Sequence, residues 1–171
     1  MKTLLFIFFS ALVSAKAPIP VTYVDIEKFS GLWYEVARTY NSYQENCVAS
    51  SVEYVLQKEN EYKVYNRCFK YKIGGDLIEY RGTATPAYGR SMSSIDMTYF
   101  YIFTKEYLVI HLENDYSAAV VADKNMEQVW IMSRAPKMKD TKLKKILAKL
   151  ENNLDLNRLI YTPQDEKGTY K

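Results

Sequence analysis

The feature that most constrains the fold is a series of eight short segments rich in Val, Ile, Tyr and Thr, each set off by turn residues. No ten-residue helical pattern falls between any two of them, and parallel strands need a crossover of about that length. The segments are therefore expected to form an antiparallel sheet, either a barrel or a sandwich. The predicted strands are 33–40, 48–56, 62–69, 77–85, 91–98, 107–113, 116–122 and 127–134.

One helical pattern follows the predicted strands. After Pro136, apolar residues recur at helical spacing, and lysines cover the other sides. Asp140 or Thr141 is expected to cap this helix, which should lie on the outside of the sheet. A short ninth strand is predicted within 158–162. The apolar positions are Leu143, Ile146, Leu147, Leu150 and Leu154.

Residues 1–15 have the pattern of a signal peptide. Lys2 precedes an apolar run at 3–13, and small residues lead up to a predicted cleavage site after Ala15. The run is too short to span a bilayer. No Cys follows the cleavage site closely, so a lipid-anchored mature end is not predicted. The sequence thus predicts a secreted, extracellular protein whose single domain covers 16–171.

The two cysteines, Cys47 and Cys68, are expected to form a disulfide, because an exported protein meets an oxidising environment. If they face each other across a hairpin, its centre lies between Gln57 and Lys58, close to the turn residues that follow the second strand. The wide spacing lacks the CxxC pattern of a redox-active pair. A structural role is therefore predicted.

Composition and motifs argue against several classes of function. A net charge of +3 is too mild and too dispersed to indicate nucleic-acid binding. One His and two Cys without zinc spacing give no metal site. The sequence contains neither a Gly-x-Ser-x-Gly elbow nor a phosphate loop. We therefore predict a binding protein rather than an enzyme, with no metal and no cofactor.

Three segments resemble the signatures of the lipocalin family. They are GLWYE at 31–35, NDY at 114–116 and WIMSRAP at 130–136. The segments 33–38 and 64–68 further resemble the branch that contains bacterial lipocalin and apolipoprotein D. Unlike those relatives, this chain has no N-terminal Cys for lipidation and only one pair of cysteines. The connection 98–105 also lacks their Gly and Pro, which leaves the ends of strands five and six open.

The resemblance implies an eight-stranded up-and-down barrel, the lipocalin calyx, flanked by a C-terminal helix. In this family an Arg lies over the Trp at the narrow end, so Trp33 and Arg134 are expected to be structural, together with Gly31. The barrel would hold a small hydrophobic ligand, with a fatty acid or lysophospholipid as the expected class. The positions matching Tyr54, Asn66 and Trp130 line the cavity in the family.

Strand alternation selects the residues that face the barrel interior. The predicted ligand contacts are Val52, Tyr54, Leu56, Val64, Asn66, Ile95, Met97, Trp130 and Met132. The same residues could instead fill a solid core, because eight-stranded barrels do either.

Other functional interpretations of the sequence stay open. The alternation around His111 is ambiguous, so the ring could face in or out, and some lipocalins hold haem through a His. The lysine-rich helix face or the aromatic rim could contact a membrane, and the rim could bind a partner protein. An enzyme on the same fold is the last alternative. The rim positions are Tyr40, Tyr43, Phe69, Tyr71 and 99–103.

Overall fold

A computed structural model describes residues 17–57 and 60–166. The predicted signal peptide lies outside the described residues. Nine strands and two α-helices are present in the described part of the chain. They are α1 Ile26–Phe29, β1 Gly31–Arg38, β2 Cys47–Leu56, β3 Tyr62–Lys70, β4 Leu77–Pro86, β5 Ser94–Tyr99, β6 Phe103–Leu112, β7 Ala118–Ala122, β8 Val129–Ser133, α2 Asp140–Leu150 and β9 Ile160–Tyr161.

The strands form the closed antiparallel barrel that the sequence predicts. From β1 to β8, each strand pairs with the next one in sequence, and β1 also pairs with β8, which closes the sheet. The short β9 adds to the end of β1. Because successive connections alternate between the two ends, the start of β1 and the β2–β3 hairpin lie at one end. The β1–β2, β3–β4, β5–β6 and β7–β8 connections lie at the other, which we call the mouth.

The strand ends differ most from expectation at β5 and β6. β6 begins at Phe103, four residues before the predicted start, and its hairpin with β5 turns through Phe100 and Tyr101 at positive φ. The register also shifts between Val109 and His111. This bulge interrupts the in–out alternation, because one extra residue on one strand reverses the faces that follow it. It explains why the sequence pattern around His111 is ambiguous.

Helix α1 covers the end opposite the mouth. Asp25 caps it, accepting hydrogen bonds from the backbone N–H groups of Glu27 and Lys28 at 2.9 and 3.0 Å. The Tyr62 hydroxyl donates to the Ile26 carbonyl. These contacts tie the helix to the barrel and make this the closed end.

Helix α2 packs on the outside of the barrel, as its spacing predicts. Ile146 and Leu150 are buried against Val129 and Ile131, the outward-facing residues of β8. The predicted cap is wrong, because the capping position is Lys139, whose side chain makes no cap hydrogen bond, and Asp140 is already helical. No helix in the described part of the chain is long and apolar enough to cross a membrane.

The predicted disulfide between Cys47 and Cys68 is confirmed, with the two Cα atoms 5.4 Å apart. The two residues are not directly opposite, because Cys47 pairs in register with Lys70. A bulge with Ala49 at φ +52° shifts the register of β2 against β3. The expected hairpin centre is also wrong, because it assumes that the two cysteines are directly opposite. Leu56 pairs with Tyr62, and the centre lies midway between them.

Candidate ligand-binding site

The floor of the barrel is aromatic. Trp33 is fully buried, and its ring centre lies 5.0 Å from that of Phe29. Tyr54 lies 5.4 Å from Phe29 and 5.2 Å from Tyr62. Tilted rings at these distances are favourable and fill space rigidly. The floor is therefore a packed layer at the closed end.

Arg134 covers the floor from outside. Its guanidinium carbon lies 3.8 Å from the centre of the Trp33 ring, and its nitrogens donate to the carbonyls of Lys28, Phe29 and Leu32 at 2.8, 3.1 and 2.8 Å. Burial lowers the pKa of Arg134 to about 10, so the group is still charged at neutral pH. The charge is held by an indole face and three carbonyls.

Gly31 makes room for this arrangement. It has φ +89°, a conformation that side chains disfavour. A Cβ at this position would stand 3.4 Å from the Arg134 side chain. Gly31, Trp33 and Arg134 thus form one structural unit, in the positions that the family resemblance implies.

Tyr54 belongs to this floor rather than to the mouth. The family resemblance places Tyr54 with Asn66 and Trp130 as residues that line the cavity, and in the structure the Tyr54 ring packs on Phe29 and Tyr62. Its hydroxyl makes no hydrogen bond with any residue in 17–57 or 60–166. Burial raises the pKa of Tyr54 well above its usual range, so the hydroxyl remains protonated. It is a free donor at the base of the barrel interior.

Above the floor, the interior is apolar. One cluster of buried side chains joins β2, β3, β4, β5, β6, β7 and β8. It contains six of the predicted ligand contacts: Val52, Tyr54, Val64, Ile95, Met97 and Met132. Leu56 does not belong to it. That residue lies in the last pair of the β2–β3 hairpin and is 38% exposed. The expectation that Leu56 lines the interior is wrong, because its side chain is exposed to solvent at this end of the strand.

Polar groups ring the interior near the mouth, and we call them the collar: Gln44, Asn66, Tyr99, Lys105, Asp123 and Gln128. Asn66 donates its amide N–H to the Tyr99 hydroxyl at 2.7 Å. Burial raises the pKa of Tyr99 to about 12. The collar thus begins where the apolar cluster ends.

Trp130 joins the apolar cluster to the collar. Its indole N–H donates to the Gln44 side-chain oxygen at 2.9 Å, and its ring meets Tyr107 edge-on with centres 5.4 Å apart. The Tyr107 hydroxyl donates to Gln128 at 3.1 Å. Trp130 is therefore bonded to one member of the collar, as Asn66 is to another.

Lys105 places a positive charge on the inner side of the mouth. It pairs in register with Met97, which faces inward. Its ammonium group donates to Asp123 at 2.9 Å and to Gln128 at 2.8 Å, and the side chain remains 47% exposed. An ammonium has three donors and no acceptor, so one stays available to a ligand.

A buried ion pair underlies the Gln44 segment. Glu35 and Arg38 are bonded at 2.7 Å, and their side chains are 5% and 4% exposed. The Gln44 amide donates to Glu35 at 2.6 Å, and Arg38 donates to the Gln44 carbonyl at 2.6 Å. Thr162, just after β9, donates to Glu35. The pair therefore fixes one side of the collar to the wall of the barrel.

Sequence reasoning missed most of the collar. Lys105 falls in the stretch that was left between strands five and six, and Gln44 lies in a single turn of 3-10 helix, Ser42–Gln44, with no sequence signature. The inward direction of Glu35 could have been predicted from strand alternation, because Trp33 two residues earlier faces inward. The inward direction of Glu35 conflicts with its charge, and that conflict marks it as a partnered residue.

His111 lies on the outer face of the barrel. It pairs with Val120, which belongs to the cluster under α2, and it bonds to Glu113 at 2.9 Å. Its ring therefore does not enter the barrel interior. In residues 17–57 and 60–166, no group of three or more His, Cys, Asp or Glu side chains is placed to hold a metal ion.

The fold and the site define a class: a closed antiparallel barrel with a sealed floor, an apolar interior and a polar mouth. The Lipocalin-like domain family matches residues 24–164. The chain belongs to the lipocalin family, whose members bind small hydrophobic ligands.

Individual relatives agree with the branch that the sequence motifs indicate. The chain is 31% identical over 147 residues to the outer membrane lipoprotein Blc of Vibrio cholerae, covering 85% of each protein. It is 26% identical over 151 residues to apolipoprotein D of the rabbit, Oryctolagus cuniculus, covering 82% of this chain and 77% of the relative. The resemblance to bacterial lipocalin and apolipoprotein D is thus confirmed.

Among solved structures, insecticyanin from the tobacco hornworm Manduca sexta aligns with a TM-score of 0.71 at 17% identity. The alignment covers 87% of this chain and 85% of insecticyanin. At that identity the likeness establishes the fold.

Proposed function

We propose that the protein binds a single-chain lipid, a fatty acid or a lysophospholipid, with its tail in the barrel interior and its head at the collar. The observation that carries this proposal is the order of the layers: aromatic floor, apolar cluster, polar collar. A ligand pocket is typically apolar with a few placed polar groups. An amphiphile has the same order along its length, since its apolar tail fits the apolar cluster and its polar head fits the collar.

The energetics favour a long apolar tail. Each Å² of apolar surface removed from water contributes roughly 25 cal/mol, against which stand the costs of ordering the ligand and displacing any solvent. At the mouth, Lys105 supplies a donor to an anionic head. Asn66 and Trp130 limit the position of the head beside it.

The proposed setting is extracellular. It rests on the signal peptide predicted at 1–15 and on the disulfide, which persists in oxidising compartments. Carriage or sequestration of the lipid, rather than a reaction on it, is the proposed role.

The test is a comparison of two lysines at the mouth. Lys105 lies on the inner face, and Lys124 lies on the outer face, where it pairs with Glu106 at 2.9 Å. Lys105→Met is expected to weaken binding of a long-chain fatty acid about fivefold, the effect of one partly exposed charge pair. Lys124→Met should leave the affinity unchanged. Equal effects of the two substitutions, or no binding by the natural protein, would refute the proposal.

A second candidate function rests on the β5–β6 hairpin. Phe100, Tyr101, Ile102 and Phe103 are all largely exposed at the mouth, with Tyr101 98% exposed. Such a patch indicates contact with another apolar surface, and a lipid bilayer is the surface from which a lipid carrier would collect its ligand. Binding to neutral phosphatidylcholine vesicles in a flotation assay should be lost in Tyr101→Ser plus Ile102→Ser. Unchanged flotation of this variant, or no flotation of the natural protein, would exclude that role.

A further inference from the structure

A second groove lies on the outside of the barrel, between helix α2, the end of β6 and the N-terminal arm. Its volume is about 270 Å³. That is just below the ~300 Å³ at which pockets for drug-sized ligands begin, so it suits a smaller molecule. Its lining includes Ile19, Ile110, His111, Ile146, Lys149 and Asn153.

One side of the groove is apolar. Ile146 and Leu150 face it from α2, and Ile110 faces it from β6. Ile19 lies on the arm and is 69% exposed. The backbone N–H of Val21 donates to the Val109 carbonyl at 2.8 Å, which fixes the arm alongside β6. The N-terminal arm thus forms a third wall of the groove, beside α2 and β6.

The other side carries hydrogen-bond donors. The Lys149 ammonium lies 3.4 Å from Nδ1 of His111, and Nε2 of the same ring lies 2.9 Å from Glu113. An ammonium only donates, so Nδ1 accepts from it and the ring proton sits on Nε2, facing the carboxylate. The hydrogen bond to His111 uses one of the three N–H donors of the Lys149 ammonium group. Within the described residues, Lys149 forms no direct ion pair, and Asn153 lines the same groove.

We propose that this groove binds a small amphiphilic monocarboxylate, such as a medium-chain fatty acid. The carboxylate accepts from Lys149 and Asn153, and the chain lies along Ile110, Ile146 and Leu150. The site is separate from the barrel interior, because the β6 wall stands between them. It does not depend on the function proposed for the interior.

The experiment is an NMR titration of the disulfide-bonded chain beginning at Lys16, labelled at isoleucine δ-methyl groups, with octanoate as the probe. Ile110 and Ile146 report on the groove, and Ile95 reports on the interior. Octanoate should shift Ile110 and Ile146 saturably. Lys149→Met should weaken that effect about fivefold, as expected for one exposed charge contact. Lys144→Met, an exposed lysine of the same helix that does not line the groove, should have no effect.

Uncharged octan-1-ol serves as a second control, and it should shift the two groove methyls at least several times more weakly than octanoate. Shifts at Ile95 alone would overturn the groove site and leave the interior site standing. Shifts at Ile110 and Ile146 alone would support the groove and count against the interior. Equal responses of Lys149→Met and Lys144→Met, or of octanoate and octan-1-ol, would overturn the proposal.

Discussion

At the closed end, the Arg134 side chain donates hydrogen bonds to three backbone carbonyls and stacks on the face of an indole. Arg134 bonds to carbonyls of Lys28, Phe29 and Leu32, more than a hundred residues earlier in the chain, and covers Trp33. Hydrogen bonds to a charged group are worth more than neutral ones. Removal of the guanidinium takes one donor from each of these carbonyls, and the Phe29 carbonyl keeps the Trp33 indole N–H as its donor at 2.9 Å.

Arg134→Met is therefore expected to lower the free energy of unfolding by about 3 kcal/mol, since the methionine keeps the apolar stem and loses every polar contact. Urea unfolding followed by circular dichroism measures the change. Arg90→Met provides the control, because Arg90 is exposed, and surface changes cost at most ~0.5 kcal/mol. Equal stability of the two variants would show that Arg134 does not fasten the closed end.

Tyrosine protonation gives a prediction at the same scale. Burial raises the pKa of Tyr99 from 10.0 to about 12. Its neutral form is favoured in the folded state, so this contribution to stability is complete below pH 10 and is lost as pH rises through about 12. Urea unfolding at a series of alkaline pH values should show stability falling across that window. The fall should be smaller in Tyr99→Phe than in the natural protein, and an identical fall in both would contradict the account.

At the scale of elements, the β2–β3 hairpin is held by one covalent link. The disulfide closes a loop with a sequence separation of 21 residues, which in the chain-entropy model stabilises by roughly 3 kcal/mol. Cys47→Ser combined with Cys68→Ser should lower the free energy of unfolding by about that amount. Reduction of the natural protein provides the independent comparison. A double variant as stable as the oxidised protein would show that the bond adds nothing to the hairpin's own pairing.

The elements also show why sequence reasoning succeeded and failed where it did. The strands of β1 to β4 and helix α2 carry clean periodicity, and their existence and order were predictable. The bulge between Val109 and His111 adds one residue to the strand, and simple in–out alternation does not account for it. The face of the barrel on which His111 lies was therefore not predictable from the sequence. The predicted α2 cap was wrong because Asp140 and Thr141 are both plausible capping residues, whereas the helix already begins at Asp140 and its capping position is Lys139.

At the scale of the whole molecule, the closed end could be predicted and the mouth could not. The closed end is made by Gly31, Trp33 and Arg134, which occupy family signatures. The collar is made by residues in or near several connections, such as Gln44 and Lys105. Their positions depend on the conformations of the connecting loops. Glu35 and Arg38 lie in a family segment, yet their burial as a pair emerges only when β1, β9 and the Gln44 turn come together.

The function proposed for the barrel places the tail of a bound lipid at Trp33 and its head at Trp130. These are the two tryptophans of the chain, so Trp130→Phe leaves a reporter at the floor and Trp33→Phe leaves one at the collar. Each variant is titrated with stearic acid carrying a nitroxide quencher either near the carboxyl end or near the methyl end. The account predicts saturable quenching in which the methyl-end label affects Trp33 more and the carboxyl-end label affects Trp130 more. Absence of saturable quenching, or the opposite order of the two labels, would contradict it.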